Sequence, residues 1–136
     1  MENIKKFFKN DNFAAVSGIE LLEASPGYAK AIMSIEEKHL NALKTVQGGA
    51  IFTLADLTFA AASNAYGNVA VAINANISFV KAATGKTLTA EAKETSINPK
   101  ISTYTVNITD DKGDLVAIFQ GMGYRKKISL DELSRI

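Results

Sequence analysis

The fold turns on Gly49–Tyr66, GAIFTLADLTFAAASNAY. The stretch is rich in alanine and leucine, has no proline and stops at Gly67. Such residues lose little side-chain freedom in a helix, and the run is too long for an ordinary strand. It is apolar nearly all round, which predicts a helix buried on most sides. No other segment offers a second helix of this length.

The flanks read as strands. Residues 16–23 predict a first strand, and Ser25-Pro26-Gly27 a turn. Over 28–36, Ala29, Ala31, Met33 and Ile35 fall on one face. A polar stretch, 36–47, leads to Gly48-Gly49. Beyond the helix, 69–81 predicts one long strand or two, and Thr84-Gly85-Lys86 a turn. Residues 87–94 alternate around Leu88, Ala90 and Ala92; residues 101–109 alternate around Tyr104, Val106 and Ile108. Asn98-Pro99 separates them, since proline cannot donate to a ladder. Asp110–Asp114 is a hairpin turn, and 115–125 close the sheet. Residues 2–10 predict a short helix with Ile4, Phe7 and Phe8 packed on the domain. The charged tail, 126–136, predicts a terminal helix from the capping box Ser129–Glu132. The order is strand, strand, long buried helix, then antiparallel strands. That is an α+β pattern, an antiparallel sheet wrapped round one central helix.

Composition narrows the function. The 136 residues fit a single domain, 1–136, with a core of about 13–127. Lys plus Arg is 15 against 14 for Asp plus Glu, which gives no broad field for nucleic acid or an anionic membrane. The absence of cysteine removes disulfides, thiolate metal sites and a cysteine nucleophile. With one histidine, His39, a transition-metal site has too few ligands, and His39 is expected to shape the loop before the helix. No signal peptide or membrane span is legible, so the expected location is the cytoplasm.

Two features point to chemistry. Gly48-Gly49 opens the helix, where unpaired N–H groups and partial positive charge can polarise a carbonyl. Read alone, the pair is a tight turn. Asp56 is the only charge between Lys44 and Lys81. It shares a helical stripe with Gly49, Thr53, Ala60 and Ser63. A buried carboxylate is costly unless it is paired. The stripe is therefore either the wall of a site or a structural Asp satisfied by Thr53. Asp56 lies eight positions after Gly48, about 12 Å along the axis. Acting on one carbonyl, the two must come from different subunits.

The run from His39 to Asp56 resembles the hotdog thioesterases, in particular the phenylacetate-pathway (PaaI-like) group. These show a His-x-Asn, a His-Gly-Gly opening the central helix, then Leu-Ala-Asp and a small-residue run ending Ala-x-Asn. Here stand His39-Leu-Asn41, Gln47-Gly48-Gly49, Leu54-Ala55-Asp56 and Ala62-Ser63-Asn64. The resemblance implies the hotdog fold, dimers usually paired into homotetramers, and hydrolysis of acyl-CoA thioesters. It implies no cofactor beyond the CoA of the substrate; the composition and charge balance already argue against a metal and against a nucleic-acid or membrane partner. Catalytic roles fall on Gly48, whose amide would polarise the carbonyl, on the partner's Asp56 as nucleophile or base, and on Asn41. Substrate contacts fall on Gln47, Gly49, Thr53 and Ser63. CoA phosphates would meet Lys81, Thr84 and Gly85, with Lys86, Lys100, Arg125, Lys126 and Lys127 as further cations. Phe52, Phe59 and Phe79 are core or acyl-pocket residues. Two positions depart from the pattern. Gln47 replaces a histidine and cannot shuttle protons; Lys44 replaces a glycine. The acyl group is expected to be a small aryl or medium-chain one. A non-catalytic acyl-CoA binder and an enoyl-thioester hydratase are the alternatives.

Overall fold

The computed structural model describes residues 2–133; the ends of the expected domain, Met1 and 134–136 of the charged tail, lie outside the described residues. The chain runs α1 (Glu2–Phe8), α2 (Asn12–Val16), β1 (Ile19–Ser25), β2 (Tyr28–Ser34), α3 (Gly48–Asn64), β3 (Asn68–Phe79), β4 (Thr87–Ile97), β5 (Ile101–Asp110), β6 (Leu115–Ser129) and α4 (Leu130–Leu133). The strands form one antiparallel sheet in the order β1-β2-β4-β5-β6-β3, with α3 against its inner face.

The alternation read from the sequence is the pleat of this sheet. Ala29 pairs with Ala92 and Ala31 with Ala90, all four buried, so β2 and β4 give α3 a floor of small side chains. Large residues fill the other half. Phe59 of α3 meets Tyr104 edge-on at 5.5 Å between ring centroids and Phe119 at 5.8 Å. Gly121 makes room for them, because a Cβ there would lie 2.9 Å from carbons of both phenylalanine rings.

The turns follow from local bonds. The Asp110 carboxylate accepts from the Lys112 and Asp114 N–H groups, and Asn98 Oδ1 from those of Lys100 and Ile101. At the end of α3 the Asn64 amide accepts from Ala70 N–H at 2.9 Å and donates to Ala70 O at 3.1 Å, so it ties the helix end to β3.

Three expectations change. The first strand starts at Ile19, and the chain before it makes α2. The Asp11 side chain accepts from Ala14 N–H at 3.0 Å and caps this single turn. β4 continues past 94, through an irregularity at Glu94–Ser96, to Ile97. β6 runs on to Ser129, because Asn68 and Ala70 of β3 continue to pair with it. The charged segment 126–129 is thus strand rather than tail.

Candidate active site

The start of α3 is built by the loop before it. Leu40 bridges to Val46, and Asn41 folds the residues between. Its Oδ1 accepts from the N–H groups of Leu43 and Thr45, and its Nδ2 donates to Thr45 Oγ1 at 3.1 Å. Lys44, in this loop, has φ 67°, the left-handed region that a glycine enters without strain. The Gln47 carbonyl accepts the Ala50 and Ile51 amides, while the N–H groups of Gly48 and Gly49 meet no acceptor among the described residues. Two free donors at a helix N-terminus form a ready site for a developing oxyanion.

A groove of about 400 Å³ lies on one side of this helix start, lined by Asn41, Gly48, Phe79 and Lys81 among others. Phe79 lies so close that a Cβ on Gly48 would sit 3.0 Å from its ring. Gln47, Gly49 and Thr53 line a second groove on the other side. The side-chain oxygen of Gln47 folds over Gly49, 2.8 Å from where a Cβ would stand.

Asp56 is half-buried and accepts no hydrogen bond from any described residue. Thr53 does not satisfy it, because its hydroxyl donates to the Gly49 carbonyl at 2.8 Å. Burial first, and the negative charge of Asp11 second, push the Asp56 carboxyl above the usual carboxylate range. Unpaired and partly desolvated, it is not held as a structural anchor by the residues of its own chain.

The remaining expected site residues divide. Ser63 lies at the far end of α3, buried, with its hydroxyl donating to Ala60 O. Lys81 donates to Asp114 at 2.7 Å and Asp110 at 3.0 Å, and these carboxylates raise its pKa. Gly85, at φ 99°, packs against Asp111, and Thr84 is exposed. Lys100 and Arg125 lie at the other end of β5, roughly 30 Å away for a ten-residue strand. Arg125 is engaged there, over the Tyr66 ring at 5.0 Å. The cations read from the sequence therefore form two groups, not one patch.

His39 is buried with both ring nitrogens used. Nδ1 accepts from Glu36 N–H at 2.9 Å, which leaves Nε2 to donate to Ser17 O at 2.7 Å. It shapes the loop, as expected from the sequence, and has no lone pair left to act as a base. Phe59 is core; Phe52 is partly buried against Phe119, and Phe79 is 53% exposed at the groove. Among the described residues no cluster of three or more His, Cys, Asp or Glu could hold a metal, and no helix is long and apolar enough to cross a membrane. The sequence reading missed α2, whose Phe13 and Val16 line the second groove. The signal was present in Asp11, an N-cap residue ahead of Phe13-Ala14-Ala15.

A single antiparallel sheet curled round one long helix is a hotdog domain, and the free donors at the helix start and the unpaired acid two turns on are its candidate site. The chain belongs to the thioesterase superfamily, whose family model matches residues 43–117. An Archaeoglobus fulgidus protein, whose name goes no further than esterase, is 41% identical over 92% of this chain and 82% of its own length. The acyl-coenzyme A thioesterase PaaI of Escherichia coli is 32% identical over 91% of this chain and 89% of its own. The structure of the E. coli PaaI protein from the phenylacetic acid degradation operon superposes with a TM-score of 0.90, at 30% identity over 94% of each chain.

Proposed function

We propose that this chain is an acyl-CoA thioesterase whose sites are shared between two subunits. The observation that carries the reading is Asp56, unpaired and half-buried on the same helix that opens with two free N–H groups. Gly48 N–H polarises the thioester carbonyl. The partner's Asp56 either activates a water that attacks it or attacks it directly, forming an acyl anhydride that water then hydrolyses; in both cases the C–S bond breaks, CoA leaves as thiolate and the free acid is released. The other Asp56, about 12 Å up its own helix, is out of reach. Asn41 acts by holding the loop that forms the Gly48 wall. Gln47, Gly49 and Thr53 line the substrate side. The loop at Lys81, Thr84 and Gly85 meets the CoA end, with Lys81 exchanging an aspartate for a phosphate. The substrate is a small aryl or medium-chain acyl-CoA, and no cofactor is required.

The pairing edge is β3. It is the outer strand beside β6 and carries no charge and no proline from Asn68 to Phe79. Val71 is 40% exposed and Ile73 53%. A long, uncharged edge strand, irregular only around Val69 and Ile73, is a template for another strand, and natural proteins leave one open where it is used. Two β3 edges side by side make a dimer; pairs of dimers give the expected tetramer. Residues 1–136 act as one domain, supported by a contiguous core that includes Ile4, α3 and Leu130.

The test is thiol release from a panel of acyl-CoAs by wild type and Asp56→Asn; the lack of cysteine keeps the background low. The expected loss is at least about a hundredfold, or ~2.7 kcal/mol of transition-state stabilisation. Binding without turnover by either protein would favour the non-catalytic reading, which the Gln47 position supports. A hydratase is disfavoured, because His39 has no free nitrogen to pair with Asp56.

A further inference from the structure

α2 stands beside the part of α3 that carries the free donors. A helix of one turn does not hold itself, and this one is fastened at both ends. Asp11 caps the Ala14 N–H. Lys38 Nζ donates to Val16 O at 2.7 Å, and His39 Nε2 to Ser17 O at 2.7 Å. Ala14 turns inward, which leaves Phe13 69% and Val16 70% exposed. These two side chains, with Gln47, Gly49, Ala50 and Thr53, line a groove of about 460 Å³, within the size range of small-molecule sites. The α3 wall of the groove continues from Thr53 to Asp56 less than one turn on.

We propose that this groove receives the apolar, uncharged acyl group of the thioester, and that Phe13 and Val16 set which acyl groups fit. The assignment rests on the thioesterase reading, since it needs the carbonyl to lie between Gly48 of one subunit and Asp56 of the other. Chemistry at the groove selects the class. Phe13, Val16 and Ala50 offer apolar walls, the first two on a backbone already fastened before binding, which limits the ordering lost. Lys38 also lines the groove, its ammonium donating to Val16 O and paired with Glu36 at 3.4 Å. An acyl group ending in a carboxylate therefore places its charge against mostly apolar walls, where the Lys38 cation is already paired.

The experiment compares wild type with Phe13→Ala, Val16→Ala and the conservative Phe13→Leu. It measures kcat/KM for acetyl-, hexanoyl-, phenylacetyl- and succinyl-CoA, and equilibrium binding of CoA and of the non-hydrolysable thioether S-hexyl-CoA. Wild type should bind S-hexyl-CoA at least about tenfold more tightly than CoA, and the alanine variants should lose most of that margin. Their kcat/KM should fall about tenfold or more for hexanoyl- and phenylacetyl-CoA, stay within about twofold for acetyl-CoA, and be restored in large part by Phe13→Leu. Succinyl-CoA should be a poor substrate throughout. Equal loss on every substrate, no loss on any, or a change in sedimentation without a change in discrimination overturns the proposal; the last makes Phe13 a subunit contact. The thioether separates the two readings. A protein that hydrolyses nothing yet shows the margin, and loses it in Phe13→Ala, keeps the groove and discards the hydrolase. Hydrolysis with no margin does the reverse.

Discussion

Asp56 carries a cost to the fold. Its folded-state pKa is raised, chiefly by burial. The protonated form is therefore favoured by folding, and the stability this gives is present at low pH and lost as pH rises through the folded-state value. At pH 7 the ionised carboxylate destabilises the fold. Asp56→Asn should then unfold at a higher temperature than wild type at pH 7, with the gap closing as the pH drops into the carboxylate range. It should lose activity at the same time. Thermal melts across pH check this, and a lower melting point at pH 7 would contradict the burial account. The same shift fixes the acid limb of kcat/KM, which should lie above the ordinary aspartate value of about 3.9. Lys44 is the second residue with a cost. Its φ of 67° strains an L-residue. Lys44→Gly should relieve about 1–2 kcal/mol of strain and, after the entropy that glycine adds to the unfolded chain, gain about 0.5–1 kcal/mol net in denaturant melts.

At the scale of elements, α3 owes its seat to neighbours of graded size. Ala29, Ala31, Ala90 and Ala92 let one side approach closely, while Phe59 fills the socket left by Gly121. Gly121→Ala should cost about 1–3 kcal/mol by overpacking two buried rings. Phe59→Ala should cost about 3–5 kcal/mol through the cavity left behind. Urea titrations of both variants, with unchanged m-values, check the pair. His39 works between elements, joining the Glu36 turn to the end of α2. His39→Ala orphans the Glu36 N–H and Ser17 carbonyl; a loss on the order of 3 kcal/mol is expected.

For the whole molecule, the open β3 edge and the separation of Gly48 from Asp56 lead to one expectation: activity needs two chains. Ile73→Lys, which puts a charge on the exposed edge strand, should lower the sedimentation coefficient toward the monomer and abolish turnover together. A fully active monomer would remove the shared site. Asp56→Asn mixed with an inactive Gly48 variant should, conversely, regain part of the activity through hybrid dimers that keep one intact site.

The sequence by itself determined the central helix, the strand alternation, the hairpin turn at Asp110–Asp114 and Asp56 as the outstanding acid. These depend on local periodicity and on the chemistry of single residues, which neighbours along the chain suffice to express. It also carried the family motif, although Gln47 and Lys44 depart from it. Only the tertiary structure decided the rest. α2 is one turn long, too short for any periodic signal, and exists because Lys38 and His39 hold its end. β6 outran its expected end because a partner strand continues to pair with it, and pairing does not register in a strand's own sequence. Sorting Gly48 and Gln47 into different grooves, turning Ser63 inward and parting Lys81 from Arg125 all depend on directions in space. Residues adjacent in sequence point to different sides of a helix, and residues at the two ends of a strand lie a domain's width apart.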